Sequence, residues 1–145
     1  VYKRQLFVGQ VKGLIVELQY YGSAASATSG KALYRPGQPL AYRIAVKNRS
    51  NQSYSALEIQ SSVHSDGVDC PAGNLPPGAR LPGSAMSPVH RVNLPPGGNH
   101  EVEAIYPIPQ DICAQTGSIR IRLQYSSAGR IQSETLTAGT GFEIK

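Results

Sequence analysis

Tryptophan is absent from this 145-residue chain, methionine occurs once, and phenylalanine and cysteine twice each. With so few wholly apolar rings, a core must be filled by aliphatic side chains and by the eight tyrosines, whose amphipathic rings suit sheet faces with one dry and one wet edge. No apolar run exceeds three residues, and Leu14 to Val16 is as long as any. A helical membrane span needs roughly 18 such residues and is excluded. Charge runs are missing as well, since no Lys/Arg stretch is longer than Lys3-Arg4. The net charge of +5 is therefore scattered singly, which argues against nucleic acid as a partner, because that function clusters its cations. No Cys-x-x-Cys occurs, so neither thioredoxin-type redox chemistry nor a close-spaced zinc pair is available.

What is abundant is punctuation. Fifteen glycines and eleven prolines interrupt the chain at the spacing of short strands, and the apolar 40% is enough to fill one core. The two cysteines, Cys70 and Cys113, stand in the loop contexts GVDCPAG and DICAQTG, unusual for reduced thiols, which prefer buried positions. A disulfide between them is expected, and with it an oxidising, extracellular or cell-surface compartment. The chain opens on Val1, as a processed product or an excised piece of a longer protein would.

Period-two alternation supplies the strands. Leu14, Val16, Leu18 and Tyr20 fall on one face with Glu17 and Gln19 on the other. Leu40, Tyr42, Ile44 and Val46 point inward while Arg43 and Lys47 point out. Leu57, Ile59, Ser61 and Val63 continue the pattern, as do Val102, Ala104 and Tyr106. Ile119, Ile121, Leu123 and Tyr125 alternate against Arg120, Arg122 and Gln124, and Phe142 and Ile144 share a face near the end. Between these, residues 21–31 form a small-residue loop expected to be mobile, and Asn48 to Ser53 makes a corner. His64 to Pro88, broken by Pro71, Pro76, Pro77, Pro82 and Pro88, is expected as an irregular excursion. The fold class is all-β, an antiparallel sandwich of about seven to nine strands with no helix. Residues 1–10 are expected as an N-terminal extension, a linker or a strand donated to another subunit, and residues 11–145 as one sandwich domain.

Arg35-Pro36-Gly37, followed by Leu40-x-Tyr42-x-Ile44-x-Val46-x-Asn48, a polar corner and a strand over Leu57 to Val63, resembles the immunoglobulin-like repeat domains of bacterial and archaeal surface proteins. Leu94-Pro95-Pro96-Gly97-Gly98 followed by Val102-x-Ala104-x-Tyr106 resembles the second turn of those domains. The resemblance covers about Leu33 to Tyr125. It implies an immunoglobulin-like β-sandwich and a non-enzymatic structural or adhesive role, as a spacer or as a subunit of a cell-surface assembly or filament. The long Pro/Gly excursion, the cysteine pair and the lack of a second copy depart from that family.

Candidate sites are few. His64, Asp66 and Asp69 place an imidazole and two carboxylates on one segment, yet lack the acidic spacing and closing Glu of a calcium loop. His90 and His100 are isolated, and no serine sits in a nucleophile-elbow pattern. No catalytic residue, metal or cofactor is assigned. Glu101 and Glu103, two apart on an exposed strand, are placed to pair with arginines across a neighbouring strand. The outward cations Arg43, Lys47, Arg120 and Arg122 would form one basic stripe for an anionic glycan or surface polymer if their strands were neighbours in a sheet. Alternatively they discourage edge-to-edge aggregation. Asn48 and Asn51 head overlapping glycosylation sequons. Partners are therefore expected among protein subunits or neighbouring domains, by strand addition into a homo-oligomer, or among anionic glycans. A viral or phage coat or decoration protein shares the same strand grammar.

Overall fold

The computed structural model describes residues 2–71, 73, 79–81 and 85–145. Its strands are β1 (Tyr2–Val11), β2 (Leu14–Gly22), β3 (Ala24–Ala25), β4 (Ala32–Tyr34), β5 (Pro39–Asn48), β6 (Tyr54–Asp69), β7 (Ala85–Met86), β8 (His90–Leu94), β9 (Asn99–Pro107), β10 (Ala114–Ser127), β11 (Arg130–Thr137) and β12 (Phe142–Ile144). Eight of them are five residues or longer, and no helix occurs among the described residues. A four-stranded sheet in the order β1-β2-β5-β9 faces an eight-stranded sheet in the order β3-β4-β12-β10-β6-β7, with β11 beside β10 and β8 beside β6. The chain is thus an all-β sandwich of the immunoglobulin-like kind, antiparallel throughout except where β12 runs parallel to β4.

Alternation decides which side chains meet between the sheets. Leu14, Val16, Leu18 and Tyr20 from β2, Leu40, Tyr42, Ile44 and Val46 from β5, and Ile119, Ile121, Leu123 and Tyr125 from β10 are all buried in one core. Each such side chain contributes roughly 1.5–3 kcal/mol relative to exposure. The tyrosines use both halves of their chemistry. Tyr20 and Tyr34 stand edge-on to Phe142, with ring centroids 5.9 Å and 5.8 Å away, and the Tyr34 hydroxyl donates to the Ala41 carbonyl at 2.7 Å. Burial raises the pKa of both phenols.

The N-terminal segment differs from expectation. β1 is no loose extension or linker but the edge strand of the four-stranded sheet, paired with β2 in its own chain. Lys12 and Gly13, at φ 49° and 79°, form the two-residue turn that matches strand twist. The register shifts between Phe7 and Gly9, leaving Val8 as an extra residue. That bulge places Leu6, Phe7 and Val8 in one apolar run and hides the period-two signal. The sandwich thus begins at β1.

β6 also runs further than expected. His64 to Asp69 pairs with β10, with the register shifting between Thr116 and Gly117 so that Asp66 is the extra residue. Cys70 and Cys113 follow directly, bridged by a disulfide with Cα atoms 5.6 Å apart. Of the rest of the expected excursion, Ala85–Met86 forms β7 against β6, while residues 72, 74–78 and 82–84, Pro76, Pro77 and Pro82 among them, lie outside the described residues. Residues 21–31 are tied down instead of loose. Gly30 accepts from Arg4 Nη1 at 3.0 Å, Ser26 N donates to the Lys31 carbonyl at 2.7 Å, and Ser29 donates to the Glu143 carboxylate.

Candidate functional site

The expected basic stripe does not form. Arg43 and Lys47 lie on β5 in the four-stranded sheet, whereas Arg120 and Arg122 lie on β10 in the other. Their side chains project from opposite outer faces of the sandwich, because in both strands the alternate residues fill the core between the sheets. The two pairs also differ in electrostatic state.

On the four-stranded face the cations are neutralised. Lys47 Nζ lies 2.7 Å from Glu17 Oε1 and Arg43 Nη1 lies 3.2 Å from Glu101 Oε2. Arg43 Nη2 also donates to Gln19 Oε1 at 2.5 Å, and Gln5 Nε2 donates to Glu17 Oε2 at 2.9 Å. The bond from Lys47, foremost, holds the Glu17 carboxyl below the ordinary carboxylate range. Glu101 thus takes the cross-strand arginine that its spacing anticipated.

On the eight-stranded face the registers build a different surface. Thr137, Arg120 and Ser62 form one cross-strand row, and Thr135, Arg122 and Gln60 form the next. Gln60, Ser62, His64, Arg120, Arg122 and Thr135 line an open hollow of about 240 Å³. Arg122 Nη2 donates to Gln60 Oε1 at 2.9 Å, while its Nε is buried without an acceptor among the described residues. Such an orphaned donor costs about 1–3 kcal/mol if nothing meets it. Neither Arg120 nor Arg122 is ion-paired, although all nine acidic side chains lie among the described residues. Ser62 Oγ and His64 Nε2 share a hydrogen bond of 2.8 Å. Partial burial first, and Arg120 second, lower the pKa of His64 against the pull of Asp66. No carboxylate is ion-paired with His64 to orient it as a base. Asp66 and Asp69 stand on β6, and no group of three metal-ligating side chains occurs among the described residues.

The two sequons part company. Asn48, expected as an exposed acceptor, is fully buried. Its Nδ2 donates to the carbonyls of Gln52 at 2.7 Å and Leu94 at 3.0 Å, and its Oδ1 accepts from the amide and hydroxyl of Ser50. It is a corner clamp, and it continues the inward parity of Leu40 to Val46. Asn51 is exposed. Sequence reasoning also missed Glu143, which is nearly buried between Phe142 and Ile144. Its bond from Ser29, above all, lowers its pKa. Its position between two core residues carried no signal, because the loop that covers it comes from far away in the chain.

The open edges form a third feature. Among the described residues, β1 pairs only with β2, and β9 only with β5. Each edge carries one large exposed apolar side chain, Phe7 at 62% and Ile105 at 70% exposure.

Among solved structures, the C-terminal domain of wzt aligns over 99% of this chain and 78% of its own, with a TM-score of 0.51 and 6% identity. A beta-glucosidase from Listeria innocua in complex with gluconolactone aligns over 89% of this chain and 16% of its own, with a TM-score of 0.42 and 15% identity. A beta-glucosidase involved in saponin metabolism from intestinal bacteria aligns over 95% and 16%, with a TM-score of 0.41 and 14% identity. No family model and no curated protein matches the chain. The first likeness shows the sandwich fold alone, and the other two carry no argument.

Proposed function

We propose that the chain is a non-enzymatic extracellular structural or adhesive module, a subunit or spacer of a cell-surface assembly that joins edge to edge. The observation that carries this reading is the complementarity of the two free edges of the four-stranded sheet. β1 and β9 run in opposite directions, because three successive antiparallel pairings separate them. A second copy displaced by simple translation lays its β1 antiparallel on the first copy's β9 and continues the sheet. β1 carries Lys3 and Arg4, whereas β9 carries Glu101 and Glu103. An offset of two residues from flush register sets Lys3 opposite Glu103 and Gln5 opposite Glu101, the kind of cross-strand pairing that stabilises a sheet. Such a contact is heterologous and does not close on itself, so it builds filaments. The disulfide and the resemblance to surface-protein repeats support an extracellular setting.

Light scattering and electron microscopy of the oxidised protein test the reading. Association that rises with concentration, yields filaments and is abolished by Phe7→Lys or Ile105→Lys is expected. A strictly monomeric wild type at high concentration overturns it, and closed particles would favour a coat protein instead.

A further inference from the structure

We infer that the outer face of the eight-stranded sheet is a binding site for the oxyanions of an acidic polysaccharide, with Arg120 and Arg122 taking the anionic group and Gln60, Ser62 and Thr135 the neighbouring hydroxyls. This goes beyond the edge-to-edge reading and stands whether or not the chain assembles.

Three observations converge. Arg120 and Arg122 are two residues apart on one strand face, so their β-carbons are about 7 Å apart. That like-charge pair is not relieved by any ion pair, whereas Arg43 and Lys47 on the other face are both neutralised. The Arg122 guanidinium is held by Gln60 through one Nη2 bond, so its orientation is fixed before any ligand arrives. Guanidinium forks match the geometry of carboxylate and sulfate oxygens in a way an ammonium does not. The cross-strand neighbours of the two arginines are hydroxyls and a primary amide, which hydrogen-bond to sugar hydroxyls without adding charge. Tyr54 and Tyr125, the tyrosines of β6 and β10, are both turned into the core. Base stacking, the sequence-tolerant grip that single-stranded nucleic acid needs, is therefore left with the His64 ring alone and no series of aromatic platforms there.

Affinity electrophoresis of the oxidised protein tests the site, using gels that contain polygalacturonate, dextran sulfate, uncharged dextran or single-stranded poly(dT). Retardation by a charged polysaccharide and none by dextran is expected, with the carboxylate and sulfate gels distinguishing the preferred oxyanion. Arg120→Gln combined with Arg122→Gln should weaken the retardation at least tenfold, while Arg43→Gln combined with Lys47→Gln leaves it within twofold. Thermal melts confirm that each variant is folded. Arg120→Gln alone, at an exposed position, provides a separate folded variant that should still lose most of the binding. Absence of retardation in both charged gels, an equal loss from the Arg43/Lys47 variant, or stronger retardation by poly(dT) than by either polysaccharide overturns the assignment.

Discussion

Reducing the disulfide should lower stability by an amount that the fold allows to be worked out. Cys70 and Cys113 are 43 residues apart in sequence and sit just beyond the Asp69–Ala114 pair that ends the β6–β10 ladder. In the chain-entropy model a closed loop of this length removes about 4 kcal/mol of conformational freedom from the unfolded state at 25 °C. A domain of this size holds about 5–15 kcal/mol in total, so a quarter or more of the stability depends on the bond. With an unfolding entropy near 2.1 cal/mol/K per residue, the expected fall in Tm is about 10–15 °C. The assay is a pair of urea and thermal melts, with and without reductant, alongside Cys70→Ser combined with Cys113→Ser. Because the effect acts on the unfolded chain, the reduced protein should also show a larger m-value, since an uncrosslinked chain exposes more surface. Coincident melts for the oxidised and reduced forms would refute the reasoning. So would alkylation of two thiols in the native protein before any reductant is added.

Further outcomes follow from the packing. A β-carbon on Gly117 would lie 2.5 Å from both the His64 carbonyl oxygen and Phe142 Cζ, so Gly117→Ala should cost about 1–3 kcal/mol in denaturant melts. Leu123→Ala, in the core, should cost about 2–5 kcal/mol. By contrast Ile131→Ala, at a site 75% exposed, should stay within about 0.5 kcal/mol. Expression in a glycosylating host should modify Asn51 and never Asn48, read by peptide mass. Asn48→Ala should destabilise by about 1–3 kcal/mol or more through the buried carbonyls it leaves unpaired. Glu143 has a folded-state pKa below its unfolded value, so its contribution is full above the ordinary carboxylate range and is lost as pH falls through the folded value. Urea midpoints should therefore drop as pH falls through and below the ordinary carboxylate range, and Glu143→Gln should flatten that drop. An unchanged slope in the variant would refute the linkage.

The legible part of the fold was the part where one physical rule acts alone. β2, β5 and β10 each alternate without interruption, and their inward residues are those the period marked. β1 was hidden by the extra residue Val8, and the second half of β6 by Asp66 followed by Gly67, because a bulge resets the period that a reader counts. Asn48 was legible in principle, since it lies two residues after Val46 with core parity, but its polarity suggested surface. Strand order was not legible. Periodicity tells which face of a strand is buried and says nothing about which strands are hydrogen-bonded neighbours. The error over the basic stripe follows directly, since four correctly predicted outward cations were joined across two sheets.

Strand order also separates the two proposed surfaces, and that separation has a measurable consequence. Edge-to-edge assembly uses β1 and β9, both in the four-stranded sheet, whereas Arg120, Arg122 and their neighbours belong to β6, β10 and β11 of the other. A filament therefore leaves every arginine face open and repeats it at a fixed interval. Linked sites on one polymer convert later binding events into intramolecular ones, which raises avidity by about 10²–10⁴ without any new contact. Assembled wild type should dissociate from immobilised dextran sulfate much more slowly than Phe7→Lys, whereas both should bind a short sulfated oligosaccharide equally. Equal dissociation from the polymer would show that the arginine faces of neighbouring copies do not act together. Equal dissociation combined with intact filaments in the microscope would place the fault in the geometry of the array and leave the edge contact standing.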